Sequence, residues 1–451
     1  MTAALAAVRH AACAPRAALR TAPFAALACA LHQSGQLLGA DTVNASLSDA
    51  VAVLLAVILV ARTTLRPRAV HLFVFLGLCA VQVLVAGFVT PARFGVPMAG
   101  ASIVANLAKN VLLLVFFLLG CHLAVRARTG ALMRFFAAYA WAAVAIGVVG
   151  GFAVLLRVEP LCAVLAYGGD RLRGLMADPN YFAVMQVMAV PYFARARALR
   201  GGVRTLALAV LAASVLLSSS RTGLICLLAC GALIAASAVW RAHGAGGLRL
   251  GRLSLRACAG AGAAVVLLAL LGEPLAAWLH AQLPVTERLG FAFSDASAIA
   301  GSRESTRSLA WGVAVDVAAH APLVGVGRGA YLPVAAAVAG VSVLPHNTYL
   351  TILAEWGAPA LMLAAVLLGA LAVRASGRSA TAEHLIARDM LVVLLVAFMG
   401  LSLDNARILW LALGVLCALP STIRWGCAQA GARRGAHACV RGGGRPLAGR
   451  G

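Results

Sequence analysis

Long apolar runs alternate with short polar stretches along the whole chain. Runs of 18 or more apolar residues are transmembrane helix candidates. The pattern predicts spans at about 21–40, 47–61, 70–90, 101–124, 132–156, 180–194, 205–219, 222–240, 257–281, 347–373, 389–403 and 407–423. The predicted fold class is an all-α polytopic membrane protein of about twelve transmembrane helices. A β-barrel would show short alternating segments instead of continuous runs. An even number of spans puts both termini on one side.

Two polar stretches are long. The first runs from about Arg157 to Pro179, the second from about 282 to 346. Connections longer than about 12–15 residues are usually functional or disordered. Within the second, Arg303 to His320 reads as a helix with Leu309, Val313, Val317 and neighbouring alanines on one face. It is expected to lie on the membrane surface or to lid a cavity. The domain scheme is therefore a short N-terminal segment, 1–20, a transmembrane domain, 21–423, and a Gly/Arg-rich tail, 424–451, expected to be disordered.

Composition supports the membrane reading. Of 451 residues, 63% are hydrophobic and only 11% charged, with mean hydropathy +0.95. The net charge of +23 raises nucleic acid as a partner, but its distribution excludes that. Arginine clusters at 62/66/68, 126/128/134, 195/197/200/204, 241/249/252/256 and 374/378/388, with the terminal arginines, all fall on one predicted face. They hold 26 of the 37 basic residues, which marks that face as cytoplasmic. The 11 cysteines show no metal-ligand spacing and read as small packing residues.

Candidate chemistry lies on the other face. Arg173 precedes Asp178-Pro179-Asn180, which first reads as a capped helix start. Ser218-Ser219-Ser220-Arg221-Thr222-Gly223 forms a tight turn between two spans. The second loop carries Arg288, Arg303, Arg307 and Arg328. It then passes through Gly325-Val326-Gly327-Arg328-Gly329, a turn rather than a nucleotide loop, to Pro345-His346-Asn347. Glu355 follows inside an apolar run, and Asp404 and Asn405 open the last helix. Lys109 is a lone lysine inside another span. Arginine on the translocated side is costly, and guanidinium forks suit phosphate oxygens. For any one arginine, headgroup anchoring or solvation is the plainer reading. An intramembrane charge is a functional hypothesis by default. Histidine is the usual base near neutral pH, although a lone one is more often structural.

Taken together, these residues resemble the O-antigen ligase and O-antigen polymerase family of bacterial membrane glycosyltransferases. The pieces are Arg173 with Asp178-Pro179-Asn180, Ser219-Ser220-Arg221-Thr222-Gly223, Arg307 four residues before Trp311, His320 through Gly329, and Pro345-His346-Asn347 running into Glu355-Trp356-Gly357. Order and spacing agree from about residue 130 to 420.

The resemblance implies an enzyme of the bacterial inner membrane, acting on the periplasmic face without cofactor or metal. It implies an undecaprenyl-diphosphate-linked glycan as donor and a lipid A-core sugar or another glycan as acceptor. Arg221 and Arg307 are then diphosphate-binding, with Arg303 competing for the role of Arg307 and Arg173 in support. His346 is the general base. Asp178, Asn180, Asn347 and Glu355 support the site. Ligase and polymerase share the scaffold. The alternative of another class is a transporter or flippase of a lipid-linked or anionic substrate, which predicts polar residues spread through several spans.

Overall fold

The structure is a computed structural model that describes residues 22–33, 45–62, 64–65, 69–126, 130–168, 170–196, 198–244, 306–377 and 379–420. The expected span at 257–281, Arg288, Arg303, the first twenty residues and the Gly/Arg-rich tail lie outside the described residues.

The described residues are mostly helical. In chain order they form α1 (22–30), α2 (Leu47–Ala61), α3 (Ala69–Phe94), α4 (Gly100–Val125), α5 (Ala131–Leu155) and α6 (Glu159–Leu165). A two-stranded hairpin follows, β1 (Ala166–Tyr167) against β2 (Arg171–Leu172), antiparallel. Then come α7 (Pro179–Val187), α8 (Val190–Arg195), α9 (Gly201–Leu217), α10 (Arg221–Gly244), α11 (Thr306–His320), α12 (Tyr331–Ala339), α13 (Thr348–Arg374), α14 (Ala382–Ala397) and α15 (Arg407–Ala418).

Five of these helices are long and apolar enough to cross a membrane: α3, α4, α5, α10 and α13. The helices α2, α9 and α15 are shorter and apolar. Their exposure pattern fits a bilayer. Along α13, Met362, Leu363, Val366 and Leu367 all face outward. In water such a continuous apolar face would be a liability; in lipid it is the solvent-facing side. The chain is a multi-pass membrane protein.

The main core joins α1, α2, α4, α5, α7–α10, α14 and α15. The closest pairing is α4 with α15. A Cβ on Gly120 would stand 2.1 Å from the Leu411 carbonyl oxygen, and one on Gly414 would stand 2.0 Å from that of Phe117. Glycine lets these two backbones meet, as small residues do between membrane helices. A second, smaller core holds α11 against α12 and the start of α13 through Val313, Ala314, Val317, Val334 and Ala354. The expected apolar face of α11 is thus found, except that Leu309 points outward, 54% exposed.

Several predicted elements differ: the helix in the run 21–40 ends at residue 30, and the run 347–373 is broken at Gly357. The run 180–194 is two helices, α7 and α8, rather than one. The run 389–403 is helical from Ala382 instead, because its charges are satisfied inside the protein. Arg195 and Arg388 both pair with the fully buried Asp389, and Arg388 also donates to Ser237 Oγ at 2.7 Å. Polar letters that read as a loop are an internal ion cluster.

Candidate functional site

The site grows from a break in α13. Pro359 has no N–H, so the Glu355 carbonyl loses its helical partner. Gly357 then leaves the helix at φ 82, ψ 171. The freed groups are taken up by the glycine-rich turn. Val326 N donates to Ala354 O and Gly327 N to Glu355 O, both at 2.9 Å, while Ala358 N donates to Pro322 O at 2.7 Å. Gly325, Gly327 and Gly329 all have positive φ. A Cβ at Gly325 would lie 2.3 Å from the Glu355 carbonyl carbon. The turn is wedged into the broken helix.

A second helix is distorted to receive it. Pro91 disturbs α3, which carries a π turn at Val85–Val89. Thr90 just after it donates its hydroxyl to Val326 O at 2.5 Å. The turn thereby delivers Arg328 into the bundle, where it is 8% exposed. Arg328 donates to Asn110 Oδ1 and Asn405 Oδ1 and pairs with Asp404 at 3.5 Å. Glu355 Oε1 accepts the Gly329 N–H at 2.8 Å.

Arg328, Gly329, Glu355, Asp404 and Asn405 line a cavity of about 430 Å³. Its charged walls are Lys109, Asp178, Arg328, Glu355, Asp404 and Arg407. Tyr181, Tyr331, Asn106, Asn405 and Ser402 add hydrogen-bonding groups. Arg407 is clamped bidentately by the buried Asp49, at 2.9 and 2.8 Å. Tyr331 lies outside the candidate spans. Burial, and then the charge of Glu355, push its phenol up to about 12, so it stays a proton donor near neutral pH. The lining comes from chain segments that the charge pattern assigns to the outer face.

The predicted residues are distributed around this cavity rather than all within it. Asp178 and Glu355 line it, as does Pro345 beside His346. Asp178 also caps α7, accepting from Asn180 N at 2.7 Å and Tyr181 N at 3.3 Å. Asn180 is half-buried at the first turn of α7. Asn347 caps α13, accepting from Leu350 N at 3.2 Å. His346 itself is exposed, at φ 47, and its ring makes no hydrogen bond to a described residue. Arg307 is exposed in the first turn of α11, with Trp311 half-buried one turn on. Arg173 turns back on its own segment, donating to the carbonyls of Val164 and Ala163 at 3.4 and 3.5 Å. Its neighbour Arg171 reaches further and donates to Ser218 O at 3.2 Å.

Arg221 opens α10 and is half-buried. The turn before it is tight: Ser218, Ser219 and Ser220 are buried, and Ser219 adopts φ 50. Ser220 Oγ accepts the Gly223 N–H at 3.0 Å as a cap. Thr222 packs on Gly400, where a Cβ would lie 2.5 Å from its Oγ1. On the same segment, Thr348 N donates to Phe398 O at 2.8 Å and Thr348 Oγ1 to Leu401 O at 2.7 Å. The Arg221 turn and the helix start beside His346 therefore share one support, residues 398–403.

Lys109, Arg328, Asp404 and Asn405 stand apart in the sequence and are brought together here; the site adds Arg407, Asn106, Tyr181 and Tyr331 to them. A signal was present: Asn106, Lys109 and Asn110 recur at helical spacing in an apolar run, so they share a face.

Residues 206–365 match the family model described as O-antigen ligase. That stretch contains Arg221, Arg303, Arg307, Arg328, His346, Asn347 and Glu355. No curated protein matches the chain.

Proposed function

We propose that this membrane protein, which carries an O-antigen ligase domain over residues 206–365, moves a glycan from undecaprenyl diphosphate to an acceptor hydroxyl, that of a lipid A-core sugar. It does so from the bacterial inner membrane, with the cavity open to the periplasm.

In this reading the acceptor oxygen attacks the anomeric carbon of the donor sugar. The bond from that carbon to the diphosphate oxygen breaks, and undecaprenyl diphosphate leaves. His346 takes the acceptor proton. Arg221 and Arg307, with Arg173 or Arg303 in support, offset the charge that builds on the leaving diphosphate. No metal is needed for that role where fixed guanidiniums supply it.

The observation that carries the reading is the common support of two turns far apart in sequence. The turns before Arg221 and at His346 both lean on residues 398–403. Each also holds a non-glycine residue in the left-handed region, Ser219 and His346. Such strain persists only where the surrounding structure holds it, and it clusters at functional sites.

The test is transfer by the purified chain from a synthetic undecaprenyl-diphosphate glycan to a lipid A-core acceptor, in EDTA. Product formed in EDTA is expected. Movement of the donor across a vesicle membrane with no glycosidic product would favour a transporter instead.

A further inference from the structure

Lys109 is a charge to which the fold supplies no contacting counter-charge among the described residues. It lies ten residues into α4, inside a candidate span. It is half-buried and lines the cavity. It makes no ion pair or hydrogen bond with a described residue. Its neighbours on the same helix face serve Arg328: Asn106 Nδ2 donates to Arg328 O at 3.4 Å, and Asn110 Oδ1 accepts from the guanidinium.

The acids nearby are engaged elsewhere. Asp404 pairs with Arg328, Asp49 with Arg407, Asp178 caps α7, and Glu355 accepts the Gly329 N–H. Two more donors of the cavity are also unspent. The hydroxyls of Tyr331, 2% exposed, and Ser402 are buried and have no hydrogen-bond partner among the described residues. A buried donor left unsatisfied is unfavourable, and an ammonium inside a span is more so. Two buried hydroxyls without partners and one ammonium without a contacting counter-charge, around one cavity, call for a ligand rich in acceptors and negative charge.

We propose that Lys109 is a substrate-binding residue that, with the Tyr331 and Ser402 hydroxyls, holds an anionic group of the donor inside the cavity. The group is a phosphate oxygen of the lipid carrier or a carboxylate of an acidic sugar. The inference rests on the glycosyl-transfer reading and adds to it a second cationic site, on α4 and outside the matched domain.

The test uses the full chain in nanodiscs, with Lys109→Met, which keeps length without charge, and Lys109→Arg. Binding is measured for undecaprenyl diphosphate alone, for a donor bearing a neutral hexose, and for a donor bearing a uronic acid. Lys109→Met is expected to weaken binding at least tenfold, Lys109→Arg to recover most of it, and the unfolding temperature of Lys109→Met to equal or exceed that of wild type. Weakening with the carrier alone assigns the group to phosphate; weakening confined to the uronic-acid donor assigns it to a carboxylate. Wild-type binding of all three by Lys109→Met overturns the inference and leaves the transferase reading standing. So does a fall in its unfolding temperature that Lys109→Arg restores without a change in binding, since Lys109 would then be structural. No binding of any donor by wild type overturns both.

Discussion

Glu355 Oε1 accepts the backbone N–H of Gly329 at 2.8 Å, joining the broken helix to the turn that delivers Arg328. Glu355 is buried, while Gly329 stands exposed at the turn. Glu355→Gln keeps an acceptor oxygen at the same reach, whereas Glu355→Ala removes this hydrogen bond. A hydrogen bond of this kind contributes about 0.5–1.5 kcal/mol net to stability. Denaturant unfolding in detergent should place Glu355→Gln close to wild type and Glu355→Ala lower by about that amount.

The helix break itself is testable. Gly357 sits at φ 82, and a Cβ there would lie 2.4 Å from Leu323 O. Gly357→Ala should lose about 1–3 kcal/mol from backbone strain alone, before the contact is counted. Gly369 lies in the same helix with open space where a Cβ would stand, so Gly369→Ala should be neutral or stabilising by up to about 1 kcal/mol. Unfolding midpoints of the two variants in one detergent make the comparison.

Much of this architecture was legible from hydropathy, because a bilayer demands long apolar helices. The span expected at 47–61 is the helix Leu47–Ala61, and 101–124 is Gly100–Val125 to within a residue. What could not be read were places where polar groups are satisfied by distant partners. Arg388 and Asp389 look like a loop until Arg195, far away in the chain, is seen to complete the cluster. The cap at Asp178 was legible because capping is local; the cap at Asn347 was not read as one. The cavity was not, because Lys109, Arg328 and Asp404 meet only through the break at Gly357 and the turn seated on it.

The Asp389 cluster stabilises the fold and stands apart from the chemistry. Asp389 is nine residues along α14 from Phe398, roughly 13 Å. Asp389→Asn leaves two buried guanidiniums without their counter-charge, which costs about 3–5 kcal/mol. Its unfolding midpoint should fall accordingly, while transfer per folded molecule stays near wild type. A loss of transfer with an unchanged midpoint would contradict this.

Tyr331 predicts an alkaline limb in stability. Its folded phenol is pushed up to about 12, against roughly 10 when unfolded. Below pH of about 10 both states keep the proton and stability does not depend on it. Between about 10 and 12 the unfolded chain releases the proton and the folded one does not, so stability falls as pH rises. Tyr331→Phe should lose this component, seen as a shallower drop in unfolding temperature over that window.

His346 offers the most direct measurement. At φ 47 its backbone favours glycine, so His346→Gly removes the ring and relieves the turn together. A histidine with no part in the chemistry would be replaced there without loss of transfer. The account predicts that His346→Gly unfolds at or above the wild-type temperature and yet forms no glycosidic product from an undecaprenyl-diphosphate glycan donor. Wild-type rates of transfer by the folded His346→Gly variant would contradict it.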